Sequence, residues 1–424
     1  MRWVAAALLA LAAPALAQAP PPAPGQVLTL DEAVRLARQN QPQLRQARAG
    51  AEAAAARADQ ARSPLLPQVT GIASYARSSQ NGPGGLSGTS SDSVFLSGTV
   101  SQLLWDFGQT PNRYRAARAG AEAQRETEQA TGLQVVLGVR TAFFTARAAK
   151  DLVAVARDNL SNQEAHLRQI QGFVEVGTRP EIDLAQARTD RANAQVQLIN
   201  GENGYEVAKA QLNLAMGVEG PTGYDVADET LPPVEGEDGT TDALLAEALR
   251  ARPDVASLAS QLRAQQATLW SVQGGYLPSL GVSTGLTGSG APGTSYSNWN
   301  ASLTLSWNVF SGGLTRAQEQ EARANLVGLD AQGTLLRQQV RLEVEQARLA
   351  VRAAGAALAA AEEALVNARE RLRLAEGRYQ TGAGSVIEQG DAQVAVTSAA
   401  AQRVQAQYTL SSARAQLLNA LGRP

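Results

Sequence analysis

Gly281-Val282-Ser283-Thr284-Gly285 has the Gly-x-Ser-x-Gly spacing with which a strained turn presents a nucleophilic serine. That chemistry requires a strand-to-helix elbow and a histidine to take the hydroxyl proton. The only histidine, His166, lies in a separate helix-forming run, and Ser283 falls inside a strand-like stretch, so the match reads as chance. A lone histidine holds no metal, because metal sites need several ligands at set spacings. The chain has no cysteine, which excludes disulfides, thiolate metal sites and cysteine nucleophiles. It has no Gly-Lys-Ser/Thr phosphate loop either, so energy for any process must come from a partner. No enzyme activity, cofactor or metal is expected. Glu388 and Asp391, three positions apart, share one helix face. On a long helix such a pair is ordinarily a solvated face. A net charge of −2 supplies no basic field to recruit nucleic acid.

The elements that would position these residues are of two kinds. In 298–309, Trp299, Ala301, Leu303, Leu305, Trp307 and Val309 alternate with Asn298, Asn300, Ser302, Thr304, Ser306 and Asn308. A period of two makes a strand with one apolar and one polar face. Around these strands runs Ala-, Arg-, Glu-, Gln- and Leu-rich helical sequence.

The chain is written twice. Pro253 and Pro278 lie 211 positions after Pro42 and Pro67, while Gly313 and Gly382 lie 205 after Gly108 and Gly177. "AQLNLAMG" at 210–217 returns as "AQLLNALG" at 415–422. The offset changes once, in the Gly/Ser-rich stretches near 78–93 and 287–297, where loop tips tolerate length change. The expected organisation is a first repeat over 28–230, a linker over 231–242 and a second repeat over 243–424. Strands are expected at 68–77 and 93–104, then at 279–288 and 298–309. Each is roughly ten residues, enough to cross a bilayer at a tilt.

Residues 1–19, "MRWVAAALLALAAPALAQA", have the layout of a secretory signal cleaved after Ala17 or Ala19, and 20–27 form a Pro-rich spacer. No later run approaches the ~20 apolar residues of a membrane helix.

After each strand pair comes an unbroken helical run, 109–176 and 314–381, each about 100 Å long at ~1.5 Å rise per residue. The second carries a heptad seam, Leu358, Ala361, Leu365, Ala368, Leu372, Ala375 and Tyr379. The first carries Val153, Ala156, Leu160, Gln163, Leu167, Ile170 and Val174, with Gln163 the one break. Such seams pack knobs into holes against neighbouring helices. Each run ends at a glycine, Gly177 or Gly382, suited to a hairpin reversal. Four two-faced strands cannot close a barrel alone, and an open sheet edge cannot sit in lipid. Several chains must therefore contribute; three would give twelve strands, with a tube of helices continuing the pore. The rival expectation is a soluble periplasmic coiled-coil scaffold or adaptor that buries its apolar strand face internally.

The duplicated layout is joined by paired motifs: "LLP" and "YLP" corners, "LWDFG" and "VFSGG" strand exits, Gly-Thr and Gly-Ala tips, and "LNLAMG" and "LLNALG" repeat ends. Over the whole mature chain this set resembles the TolC-like outer-membrane efflux family. The resemblance implies an α+β membrane protein in which a homotrimer forms a twelve-stranded β-barrel continued by a periplasmic coiled-coil tunnel. It implies passive conduction of drugs, small toxic molecules or polypeptides, outer-membrane lipid around the barrel, a periplasmic adaptor, and an inner-membrane pump of RND, ABC or MFS type. Some branches carry a lipidated N-terminal cysteine; this chain resembles the unacylated branch. The resemblance further implies a pore constriction at Glu388 and Asp391, where the family carries aspartates, and an entrance latch at Asp183 and Tyr379. Gly384 stands where the family's latch arginine belongs, which leaves Arg378 or Arg179 as substitutes. The tips Val176, Gly177, Thr178, Gly382 and Ala383 match the adaptor-contact positions.

Overall fold

Thr29 opens the first helix with a capping box: its hydroxyl accepts from the Glu32 N–H while the Glu32 carboxylate reaches back to the Thr29 N–H. This computed structural model describes residues 23, 25–80, 89–291, 296–381 and 383–424, so the expected leader over 1–19 and tip residue Gly382 lie outside the described residues. In chain order the elements are β1 (Val27–Leu28), α1 (Leu30–Asn40), α2 (Pro42–Arg62), β2 (Gln68–Gln80), β3 (Thr89–Trp105), α3 (Gln109–Glu175) and α4 (Glu181–Met216). There follow β4 (Asp225–Val226), α5 (Thr241–Ala251), α6 (Pro253–Gly274), β5 (Ser279–Gly290), β6 (Tyr296–Ser306), α7 (Leu314–Gln380) and α8 (Val386–Ala420). The second half thus repeats the first: two helices, two strands, a 67-residue helix and a shorter return helix. None of the described helices is long and apolar enough to cross a membrane.

The chain divides into two compact units. The first holds residues up to 45, 131–248 and 342–424; the second holds 46–130 and 249–341.

The second unit contains an antiparallel sheet in the order β2-β3-β5-β6. Its register aligns Val69 with Val100, Ala73 with Leu96 and Tyr75 with Val94; across the central pair Gly98 meets Leu286. On the far side Leu286 meets Trp299, Val282 meets Leu303 and Leu280 meets Leu305. Because side chains alternate, these residues all lie on one face. The other face carries Ser97, Thr99, Ser283, Asn300, Ser302 and Thr304, with Ile72, Phe95 and Leu103 as apolar exceptions.

The strands run past the expected bounds at most ends and fall short at one. β6 stops at Ser306, so Trp307 and Val309 leave the alternation that suggested a strand to 309. There the Trp307 Nε1–H donates to the Tyr276 carbonyl at 3.1 Å, and the Val309 N–H bonds back to the Trp307 carbonyl. These local bonds satisfy the backbone and indole in place of the ladder. At the other exit a bulge lies between Leu103 and Trp105, and Trp105 makes the last pair, with Leu280. Phe107 (φ 54) and Gly108 (φ 86) then turn the chain, and buried Asp106 accepts the Thr110 N–H at 2.6 Å to start α3.

In the first unit a short parallel pair, β1 with β4, sits in a core of Leu28, Val139, Phe143, Phe144, Leu212, Met216 and Val226. Burying each large side chain is worth about 1.5–3 kcal/mol. The segment expected to link the repeats is packed rather than slack. Leu231 and Val234 are buried, and Arg414 grips Glu237 with two bonds of 3.0 and 3.1 Å. Along the heptad seams Val153, Ala156, Ile170, Leu365, Ala375 and Tyr379 are buried and the other seam residues half-buried, while most flanking positions on α7 are exposed.

Candidate functional site

The two helical hairpins of the first unit bring together most residues that the sequence singled out. Helix α3 ends in a Schellman turn. The Thr178 N–H donates to the Phe173 carbonyl at 2.9 Å, the Gly177 N–H to that of Val174 at 3.0 Å, and Gly177 has φ 74. Only a left-handed residue closes that turn cheaply, which explains glycine there. Val176 stands 72% exposed beside it. At the second tip the N–H groups of Ala383 and Gly384 both donate to the Arg378 carbonyl at 2.9 Å. Ser385 caps α8 by accepting the Glu388 N–H at 3.1 Å.

Glu388 and Asp391 follow on α8, as their spacing requires, but their surroundings differ. The Arg378 guanidinium bonds Glu388 at 2.7 Å and reaches the Ala383 carbonyl at 3.4 Å. Asp391 is exposed and has no ion pair among the described residues. The second tip therefore partly neutralises one of the two carboxylates.

Tyr379 is only 2% exposed and packs with Ile170 and Ala187, bordered by Leu167, Phe173 and Leu184. The Arg179 guanidinium lies over its ring, 4.5 Å from the centroid. Its phenol oxygen is buried without a hydrogen-bond partner, so Asp183, although near enough to act on it electrostatically, does not bond it. Burial and the Asp183 charge push the phenol's pKa up, against the pull of Arg179.

A side chain at Gly384 would be tightly confined in this arrangement. A Cβ there would stand 3.1 Å from Arg378 Cβ and 3.1 Å from the Tyr379 amide nitrogen. Of the two candidate substitutes, Arg378 serves Glu388 and Arg179 serves the Tyr379 ring; neither pairs with Asp183 among the described residues.

Sequence reasoning missed a polar layer across the helices. Buried Asn159 on α3 donates to Gln197 of α4 at 3.2 Å and accepts from Gln393 (3.4 Å) and Thr397 (3.2 Å) of α8. No heptad count finds it, because Asn159 lies off the seam and its partners come from two other helices. His166 lies nearby in sequence, half-buried, its ring 6.0 Å from that of Tyr379. Burial lowers its pKa from the ordinary value near 6.5, outweighing Asp190 and Asp183. The neutral ring is thus favoured in the fold, and the unfolded chain binds a proton first as pH falls. Stability is fully retained above about pH 6.5 and declines as pH falls from there through the folded pKa. Between pH 7.5 and 5.5, His166→Gln is expected to lose less melting temperature than the parent, read by circular dichroism in detergent.

The outer membrane efflux protein family pattern matches residues 33–218 and again 244–423, one match per repeat. The chain belongs to the outer membrane efflux protein family. It is 27% identical over 330 residues to the outer membrane protein TolC of Escherichia coli, spanning 72% of this chain and 64% of TolC's own length. It is also 27% identical to the pyoverdine export outer membrane protein OpmQ of Pseudomonas putida, over 93% of this chain and 85% of that protein. The fold superimposes on the Campylobacter jejuni CmeC outer membrane channel with a TM-score of 0.81 at 20% identity, covering 93% of this chain and 85% of the other. The Gly-x-Ser-x-Gly match lies within β5 and not at a strand-to-helix elbow. Ser283 sits on the polar face of β5, and its hydroxyl shares a 2.8 Å hydrogen bond with that of Ser302 across the ladder.

Proposed function

We propose that three copies of this chain close one twelve-stranded barrel in the outer membrane and conduct solutes passively through a shared helical tunnel. One observation carries the reading: the sheet presents an apolar face to solvent while, among the described residues, both edge strands, β2 and β6, have no partner on their outer side. Trp299 and Leu303 are each 66% exposed on that face. Such a face is stable in hydrocarbon, and hydrocarbon forbids unpaired edges, so β6 of one copy must meet β2 of the next. The polar face of Ser, Thr and Asn then lines water. The absence of cysteine from these 424 residues supports the unacylated form.

In this assembly Glu388 and Asp391 ring the narrow tunnel entrance, and Asp183 with Tyr379 lies behind it as the latch. The tip residues Val176, Gly177, Thr178, Gly382 and Ala383 meet a periplasmic adaptor, which joins the conduit to an energised inner-membrane pump.

Conductance in planar bilayers tests the entrance. Three Asp391 carboxylates gathered on one axis attract multivalent cations, whereas each Glu388 is already matched by Arg378. Asp391→Asn is expected to raise conductance and weaken multivalent-cation block by about threefold or more, with a smaller change in Glu388→Gln. Arg378→Ala, which frees Glu388, is expected to strengthen block. Equal block in all of these variants would remove both carboxylates from the pore.

A further inference from the structure

A cavity of about 370 Å³ lies among α3, α4, α7 and α8 next to Tyr379. Three side-chain atoms on its lining residues are buried without a hydrogen-bond partner: Tyr379 Oη, His166 Nδ1 and Gln389 Oε1. Native interiors leave few such atoms, and each one marks a missing partner. Tyr379 is the most telling, since its side chain is almost wholly enclosed.

All three atoms can accept a hydrogen bond. An amide oxygen only accepts, a phenol oxygen accepts as well as donates, and the unprotonated nitrogen of a neutral imidazole accepts. The charged lining groups are Glu376 and Asp190, and neither has an ion pair among the described residues; Asp190 accepts only from Gln186, at 2.9 Å. No lysine or arginine lines the cavity, Arg179 being engaged over the Tyr379 ring. The complement of two carboxylates and several acceptors is a cation rich in N–H donors. A metal ion fits poorly, because the described residues contain no group of three or more His, Cys, Asp or Glu able to hold one. Leu372 and Val386 add apolar wall against which a methylene chain can lie.

We propose that this cavity binds a small aliphatic primary amine in its ammonium form. Each ammonium presents three donors, enough to engage Glu376 together with the Gln389 and Tyr379 oxygens. The site lies in the wall of the helical bundle and is separate from the entrance acids, since neither Glu388 nor Asp391 lines it. An amine held here is thus distinguished from one held by the entrance acids.

Putrescine is the probe, titrated calorimetrically at low salt into full-length protein purified in detergent. Saturable binding of one putrescine per chain is expected. Glu376→Gln should weaken it at least about tenfold, and Tyr379→Phe, which keeps the ring and its packing, about three- to tenfold. Asp391→Asn, which removes an entrance charge, should leave it unchanged. Melting temperatures without amine show whether each variant folds, and Tyr379→Phe carries the test if Glu376→Gln does not. Absence of saturable binding, as when the cavity holds water only, would overturn the proposal. So would equal binding in Glu376→Gln and Tyr379→Phe, or loss only in Asp391→Asn, which would place the amine in the lumen. Conductance of the same preparation reports separately on the channel reading.

Discussion

Leu303→Arg is expected to strip the protein from the outer membrane, while Ser302→Arg, one residue away, leaves it there. The two side chains sit on opposite faces of β6: Leu303 pairs across the ladder with Val282, and Ser302 with Ser283. An arginine facing lipid near the bilayer midplane costs about 2–4 kcal/mol, and three copies in one barrel bring that to about 6–12 kcal/mol. On the water-lined face the same arginine keeps its hydration and loses only the Ser283–Ser302 hydrogen bond, a contribution of about 1 kcal/mol. Outer-membrane fractionation and a heat-sensitive trimer band in detergent gels read the outcome. Equal retention of both variants would mean that the apolar face is buried against protein, as in a soluble scaffold.

The second large effect lies far along the sequence, at the end of α4. Gly217→Val should destabilise the fold by about 3–5 kcal/mol, from left-handed backbone strain plus overpacking. Gly217 has φ 67, and a Cβ built there would stand 2.7 Å from Gln41 Cα and 2.9 Å from Gln41 N. That backbone cannot retreat easily, because the Gln41 side-chain amide bonds the Leu214 and Ala215 carbonyls at 3.3 and 3.0 Å, capping α4. Gly177 is the internal comparison: it has a similar φ of 74, but nothing within 4 Å of an added Cβ. Gly177→Ala should therefore cost only the conformational strain, about 1–2 kcal/mol. Thermal unfolding in detergent separates the two; similar losses would mean that contact with Gln41 is not what holds Gly217 as glycine.

Much of this architecture is legible in the amino-acid sequence for one reason: it is periodic or repeated. Alternation at Trp299, Ala301, Leu303 and Leu305 needs only neighbours to declare a two-faced strand. The seam from Leu358 to Tyr379 needs only the helical pitch, and the copy of Gly177 at Gly382 needs only self-comparison. Glu388 and Asp391 share a helix face for the same local reason.

What tertiary structure alone decided involves partners that no fixed spacing ties together. The placement of β3 beside β5, which joins the two hairpins into one sheet, depends on pairs such as Gly98 with Leu286. The close approach of Gln41 to Gly217 is equally remote in sequence, as is the Asn159–Gln393 contact. Arg378 was one of two candidates for Asp183, yet it serves Glu388 across the second tip, a choice set by how the chain folds back there. Trp307 continues the strand's alternation in sequence but leaves the sheet, because its indole finds the Tyr276 carbonyl instead. Local sequence sets periodicity through backbone geometry, whereas the choice among distant partners is made by packing and hydrogen-bond satisfaction, which exist only once the chain has folded.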